Sequence, residues 1–348
     1  MVDKLSLVPQ AILHAFGIHE GVAVQPFGSG HINRTFKIEG EDASFILQRI
    51  NHYVFQKPEI IAANIRRAST FLKEKYPEYV FLSPIPSTDG LDIVYDAEGY
   101  PWRLLPYFKN TITIDAVATP HEAFEAAKGF AQLSRKLSGC NVINFQPTID
   151  RFHDLTWRYE QFQEALGNAQ PDRLEMAAKA IQACKDFSFL VDKYNALIAD
   201  GFLKLRITHN DTKINNILFD SQSRTTACVI DLDTLMPGYF IYDLGDMVRT
   251  FVSPVSEEES DLSKIIFRPE IYRSLLDGYL SEMETELSDL EKQAIPFSGL
   301  MMTYIMALRF LTDYLNGDVY YITAYEGQNL VRAVNQLNLL KKLESAEL

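Results

Sequence analysis

Apolar and polar positions change rhythm along the chain. A first short helix is expected near residues 8–16, after which "VAVQPF", "RTFKIEG" and "SFILQRIN" alternate or run apolar, with Gly, Asp and Asn between them. This is the signature of an antiparallel meander. A helix is expected over 58–75, with Pro58 suited to its first turn. Strand signal returns at "DIVYD" and "PWRLLPYF", joined by a turn around Gly99. Beyond that the period is helical, over about 120–138, 151–165, 172–199, 270–283, 289–315 and 325–345. The exception is 203–233, where "KLRIT", "NILFD" and "ACVID" read as short strands joined by polar loops. No repeat, low-complexity tract or long linker interrupts the plan. The expectation is an α+β, two-lobed molecule with a β-rich lobe over 1–107 and a mostly helical lobe over 108–348. Clefts between such lobes favour ligands.

The polar residues of the β insertion raise a chemical question. "ITHNDTKINNILFD", 207–220, and "VIDLD", 229–233, set acids, amides and a lysine among strand-like runs. Asp and Asn in loops commonly serve local turns, which accounts for one or two of them. It does not account for His209, Asp211, Lys213, Asn216 and Asp231 together. Phosphoryl transfer does. That chemistry uses an Asp to orient an attacking hydroxyl and take its proton, with an Asn five residues on and a second Asp to hold Mg2+. Asp211 and Asn216 have that spacing, and Asp231 closes a strand. Lys213 could reach the γ-phosphate as charge moves onto its oxygens. His209 reads as a loop brace, and Asp243 and Asp246 as residues of a helix start that cap it or complement its dipole.

Composition narrows the partners. The chain has 348 residues, long enough for two packed lobes, and its 47% hydrophobic and 23% charged residues are ordinary for a globular protein. A net charge of −13 argues against nucleic-acid and anionic-membrane surfaces and leaves small molecules and metal-borne nucleotides open. Cys140, Cys184 and Cys228 are widely spaced, which suits small buried hydrophobes in a reducing compartment. The first twenty residues do not read as a signal peptide, and the apolar run 300–311 is short for a membrane span and carries Arg309, so a cytoplasmic location is expected.

With HxDxxxxN and IDxD in place, the chain resembles the aminoglycoside phosphotransferase and choline kinase superfamily, small-molecule kinases with a protein-kinase-like fold. "GSGHINRTF", "FILQRIN", "THNDTKINNILFD", "VIDLDTLMPG", "FSGLMMTYIMALRFLTDYLNGDVYY" and "NLVRAVNQL" are similar to the N-acetylhexosamine 1-kinases within it. The resemblance covers nearly the whole chain. It implies transfer of the γ-phosphate of ATP to the anomeric hydroxyl of N-acetylglucosamine or N-acetylgalactosamine. Asp211 would be the base, Asn216 and Asp231 would hold Mg2+, and His31, Arg309 and Tyr320 would meet the sugar.

Each position also has a reading of its own. Gly28 and Gly30 flank Ser29 in a hairpin turn, where backbone could approach phosphates. His31 beside it is equally an exposed turn residue. Arg309, in an apolar helix, needs a partner, and Asp313 one turn on would supply an ion pair. Tyr320 and Tyr321 could cap a packed corner, and Trp102 reads as core. Tyr107 and Phe108 mark a lobe hinge whose backbone could read adenine. "FILQRI" places Gln48 where the superfamily usually has a phosphate-gripping Lys or Arg. Gln48 and Arg49 cannot both face the cleft, so either Gln48 binds by neutral hydrogen bonds or another cation substitutes. The acidic runs 256–261 and 281–291 read as solvated helix faces. The alternatives are another acceptor (an aminoglycoside, choline, homoserine or another sugar) or a nucleotide-binding pseudokinase. No GxSxG, HExxH or sulfatase-type sequence supports a hydrolase.

Overall fold

The side chains that alternate in the first third of the sequence alternate across a sheet. The structure, a computed structural model, describes residues 8–19, 21–28, 32–40 and 43–346. Gly30 and His31 lie outside the described residues. Helix α1 (Gln10–Ala15) precedes strands β1 (Ala23–Pro26), β2 (Arg34–Glu39) and β3 (Ser44–Arg49). Helix α2 (Pro58–Lys75) follows, then β4 (Val94–Tyr95) and β5 (Pro101–Pro106). The five strands pair antiparallel in the order β1-β2-β3-β5-β4. Directly paired residues share a face. Phe36, Leu47 and Leu104, with Trp102 beside them, fall on one face and form a small core with Ile12 and Leu13 of α1 and Phe16 just after it. Thr35, Gln48 and Arg103 fall on the other, which lines a cleft.

The remainder is mostly helical around a second core. It opens with β6 (Thr111–Ile112), α3 (Pro120–Leu137), α4 (Leu155–Asn168), α5 (Pro171–Met176), α6 (Ala178–Asp186) and α7 (Phe189–Ala199). The polar insertion supplies β7 (Arg206–Thr208), β8 (Ile217–Asp220), β9 (Thr226–Val229) and β10 (Met236–Gly238). Then come α8 (Phe240–Phe251), α9 (Pro269–Met283), α10 (Asp289–Gln293), α11 (Ile295–Leu315) and α12 (Gln328–Glu344). The small strands form a β6-β8-β9 sheet and a β10-β7 pair. The fold is a kinase-like α+β arrangement of a β-sheet N-lobe and a mostly helical C-lobe.

Local signals explain several boundaries. Thr119 and Glu122 form a reciprocal capping box at the start of α3, and Pro120 occupies its first position. Helix α9 lies against α3 closely enough that a Cβ on Gly278 would strike the Phe124 carbonyl. Helix α11 is long and apolar enough to cross a membrane, but 72% of its apolar window is buried against its neighbours, among them α8, α12 and α4. It is a core helix.

Two surface expectations are corrected. Residues 256–261 are not helical. Glu257 pairs with Arg249, Glu258 with Arg332 and Glu259 with Lys264, because three cations from other segments converge there. In the second run Glu291 is buried and grips the buried Arg206 of β7.

Candidate active site

Between β7 and β8 the chain cannot continue a ladder, and side chains hold its backbone instead. Asn210 takes a left-handed conformation, φ 65°, which Asn tolerates better than most residues. Its amide nitrogen donates to the carbonyls of Thr208 and Thr234, each at 3.0 Å. Asp243 accepts the His209 N–H at 3.0 Å and the Asn210 N–H at 2.7 Å, and the Asp243 carbonyl receives the Thr212 hydroxyl at 2.7 Å. Asp243 therefore braces the loop from the first turn of α8. The expectation that it caps a helix is corrected: Tyr239 is the N-cap, with no side-chain cap bond. Asp246 pairs with Arg249 within the helix. Burial, partly offset by those donors, raises the Asp243 pKa to about 6.

His209 is a brace, as read from sequence. Its Nε2 lies 2.9 Å from the Ile230 carbonyl, and its Nδ1 accepts the Asp211 N–H at 3.3 Å. His153, which the sequence did not single out, donates from Nε2 to the Asn210 carbonyl at 2.8 Å. Burial pushes its pKa down to about 3, so the ring is neutral at physiological pH.

The loop brings Asp211, Lys213 and Asn216 together. The Asn216 amide donates to the Asp211 carbonyl at 2.8 Å and to its carboxylate at 3.0 Å. Lys213 Nζ lies 3.2 Å from the same carboxylate. Burial opposes the Asp211 charge, but Lys213 and the Asn216 amide hold its pKa below the usual range. Lys213 is raised, first by Asp211. Asp231 follows β9 with φ 58°, a conformation rare for a residue with a Cβ and common where a functional group must be aimed. Its carboxylate opens to solvent at the cleft floor, enclosed by surrounding protein. That enclosure, then the charges of Asp233 and Asp211, raises its pKa to about 7.

Among the described residues no cluster of three His, Cys, Asp or Glu forms a cage for a metal. The donors present nevertheless fit Mg2+. Asn216 commits its amide nitrogen to Asp211, which leaves its oxygen to the cleft, and Asp231 lines the same cleft. Two hard oxygen donors suit an ion that keeps waters and takes the rest of its shell from phosphates.

The cleft has a volume of about 370 Å³ and takes in Gly28, Gln48, Tyr107, Asn216 and Asp231. Gly28 has φ 76°. The Tyr107 N–H donates to the Ser44 carbonyl at 3.3 Å, and the Phe108 carbonyl receives Thr111 at 2.8 Å. Among the described residues the C=O of Tyr107 and the N–H of Phe108 have no backbone partner. The two groups of that peptide point opposite ways, so only one of them can face the cleft. Gln48 faces the cleft, whereas Arg49 turns outward onto the Tyr100 ring. Gln48 is no free phosphate ligand: its oxygen accepts Arg103 Nε at 3.0 Å and Nη2 at 2.7 Å, and its nitrogen donates to Thr35 at 3.1 Å. The buried Arg103 also pairs with Asp233, which accepts Asn33 at 2.7 Å. Sequence reading missed Arg103. Its one signal was a charge inside an apolar strand, opposite Gln48 in the register.

A second pocket, of about 220 Å³, gathers Arg158, Arg309, Tyr320 and Tyr321. Arg309 does not pair with Asp313, a correction. Asp313 instead accepts the backbone N–H groups of Val319, Tyr320 and Tyr321 and the Asn329 amide, because the turn after α11 would otherwise leave those donors unmet. The Arg309 guanidinium lies over the rings of Phe152, Tyr321 and Tyr320 at 4.9, 5.5 and 5.9 Å. Tyr320 is exposed rather than packed into a corner.

Solved structures share this fold. A microcompartment-associated aminopropanol kinase superposes with a TM-score of 0.67 at 16% identity, covering 97% of both chains. An amicoumacin kinase in complex with AMP-PNP, Ca2+ and its ligand matches with a TM-score of 0.59 at 14% identity, over 93% of this chain and 88% of the other. A choline kinase from Streptococcus pneumoniae gives 0.55 at 13% identity, over 96% and 98%. These likenesses show the fold. The family model described as APH, phosphotransferase enzyme family, matches residues 23–285, from the cleft-facing sheet through the Asp211 loop and beyond Asp231, and this chain belongs to that family.

Proposed function

We propose that this chain transfers the γ-phosphate of ATP to the anomeric hydroxyl of an N-acetylhexosamine. The observation that carries the kinase part is the Asp211 carboxylate, held ionised beside Lys213 and bonded to Asn216, which lines the cleft together with Asp231. In this reading residues 1–107 form the nucleotide lobe, and 108–348 carry the 211 loop and the acceptor pocket. Asp211 orients the acceptor hydroxyl and takes its proton. Its lowered pKa suits late transfer, when the hydroxyl has become acidic. Lys213 keeps that carboxylate charged and adds positive potential near the moving group. Asn216 and Asp231 would hold Mg2+, which supplies charge neutralisation to the β- and γ-phosphates. Gly28, the peptide after Tyr107 and the Gln48–Arg103 pair serve the nucleotide. In that pair Arg103 is the substitute cation, and Gln48 aligns its fork.

The acceptor rests on Arg309 and Tyr320 and on the long C-terminal blocks similar to N-acetylhexosamine kinases. Two arginines that have no carboxylate partner among the described residues suit an oxygen-rich acceptor better than an amine. That weighs against choline-like and aminoglycoside acceptors. Three free cysteines suit a cytoplasmic enzyme.

The experiment is ADP release with Mg–ATP against both N-acetylhexosamines, glucose, galactose, choline, homoserine and kanamycin, with phosphorus NMR of the product. An N-acetylhexosamine 1-phosphate supports the reading. Activity only on an amine would keep the catalytic loop and overturn the acceptor. Silence with every acceptor would favour the pseudokinase.

A further inference from the structure

We propose that Arg158 and Arg309 form an anion-receiving subsite at the acceptor end of the active site, for a sulfate, phosphate or carboxylate group. The subsite stands on its own side chains; its link to the acceptor rests on the function proposed above.

Arg158 projects from α4. Its Nε and Nη2 donate to the Phe152 carbonyl at 3.2 and 2.9 Å, and Nη1 donates to Gln161 at 2.9 Å. Those bonds fix the guanidinium and leave N–H donors over. Arg309 has one weak contact, to the Met306 sulfur at 3.5 Å, and is otherwise held by aromatic faces. Among the described residues neither has an ion-pair partner, although Arg173, Arg206, Arg249 and Arg332 of the same lobe all do. The carboxylate in the pocket wall, Asp313, is saturated by backbone and Asn329 donors. Both oxygens of that acid are committed elsewhere.

The pocket thus holds two cations facing one void. Burial, and then the Arg309 charge, pulls the Arg158 pKa down to about 9, the mark of charge without compensation. One anion with several acceptor oxygens would satisfy both arginines together, which a cationic acceptor cannot do. The site also adjoins the chemistry. Phe152 receives Arg158 and stacks under Arg309, and the next residue, His153, is bonded to Asn210 beside Asp211.

Two sources could supply the anion: a charged substituent on the acceptor, or a free inorganic anion bound beside a neutral one. Inorganic sulfate is the first probe, titrated into protein whose nucleotide cleft is filled with magnesium and a non-hydrolysable ATP analogue. Calorimetric binding is followed in the wild type, Arg158→Gln, Arg309→Gln and Arg158→Lys. Each glutamine variant should weaken sulfate binding about tenfold or more, and Arg158→Lys should retain part of it. Thermal midpoints without sulfate identify any variant that fails to fold, in which case the lysine variant carries the comparison. No sulfate binding in the wild type, or equal binding in folded variants, overturns the subsite. The source is read by kinetics. Competition between sulfate and N-acetylglucosamine, with a higher kcat/KM for N-acetylglucosamine 6-sulfate, identifies a substituent. Sulfate that binds without competing identifies a free anion. Inactivity on every N-acetylhexosamine would overturn the proposed acceptor and leave the sulfate titration fully readable.

Discussion

Arg103 on β5 pairs with Asp233, 130 residues away, across the cleft between the lobes. Asp233 sits two residues beyond Asp231, and its other oxygen accepts Asn33 from the segment before β2. Asn33 in turn accepts the Asn51 N–H at 3.0 Å. The N-lobe sheet is therefore tied directly to the turn that aims Asp231. A change at Arg103 reaches both the cleft-facing side of the sheet and the turn that carries Asp231.

The side chains of Arg103 and Asp233 are each 4% exposed, so removing one strands a buried charge. Arg103→Gln or Asp233→Asn should each destabilise the protein by about 3 kcal/mol. The double variant should lose less than the sum, because neither charge is then stranded. Denaturant midpoints of the four proteins measure this coupling. In folded Arg103→Gln the KM for ATP should rise while the KM for the acceptor stays near wild type. A higher acceptor KM with unchanged ATP KM would remove Arg103 from the nucleotide side.

Asp211 is the proposed base, and Asn in its place keeps the shape and a hydrogen-bond acceptor without the charge. Asp211→Asn should lower turnover by about 10²–10⁴-fold with nucleotide and acceptor affinity largely kept. Single-turnover rates with calorimetric binding separate these effects. Near-normal turnover would mean that another group takes the proton.

Asp243 touches no reacting atom in this arrangement and acts through the loop it holds. Asp243→Ala leaves the buried His209 and Asn210 N–H groups without acceptors, a cost of about 2–4 kcal/mol. Faster amide hydrogen exchange at residues 209 and 210, with lower kcat and a nearly constant KM for ATP, is the expected outcome. Unchanged exchange there would reduce Asp243 to a residue of general stability.

The fold was legible where one local rule dominates. Helix α2 has the bounds read from the sequence, 58–75, because an apolar stripe and Pro58 mark it without tertiary help. The expected helix over 172–199 is instead α5, α6 and α7. No proline or glycine marks the breaks, which fall at the buried Ala177 and Phe187, so packing sets them. In the site, Asp211, Asn216 and Asp231 were legible because local chain spacing brings them together. Arg103–Asp233 and Arg158–Arg309 were not, since each joins elements distant in sequence. The Arg309–Asp313 ion pair, one of the two readings open for Arg309, is absent for the same reason. The helical spacing of Asp313 suited Arg309, but a turn that follows the helix claimed it first.

Asp231 connects stability to function through its charge. Its folded pKa of about 7 lies above its ordinary 3.8, so the folded, metal-free protein binds that proton more tightly than the unfolded chain. The stabilisation is fully present below about pH 4 and is lost as pH rises through 7. Asn at this position carries no charge and escapes the loss. Metal-free Asp231→Asn should therefore melt with the wild type at about pH 3.5 and about 1–3 °C above it at pH 8, the difference kept small by water in the open cleft. Magnesium with a nucleotide should raise the wild type at pH 8 and leave the variant nearly unmoved, since the carboxylate that would hold the ion is gone. The same substitution should cost about 10²-fold or more in turnover. Scanning calorimetry at the two pH values, with and without the metal–nucleotide pair, reads all of this. A variant less stable than wild type at pH 8 without metal would show that Asp231 is not under charge strain, and that its left-handed turn is held for packing rather than to aim an acid at a cation.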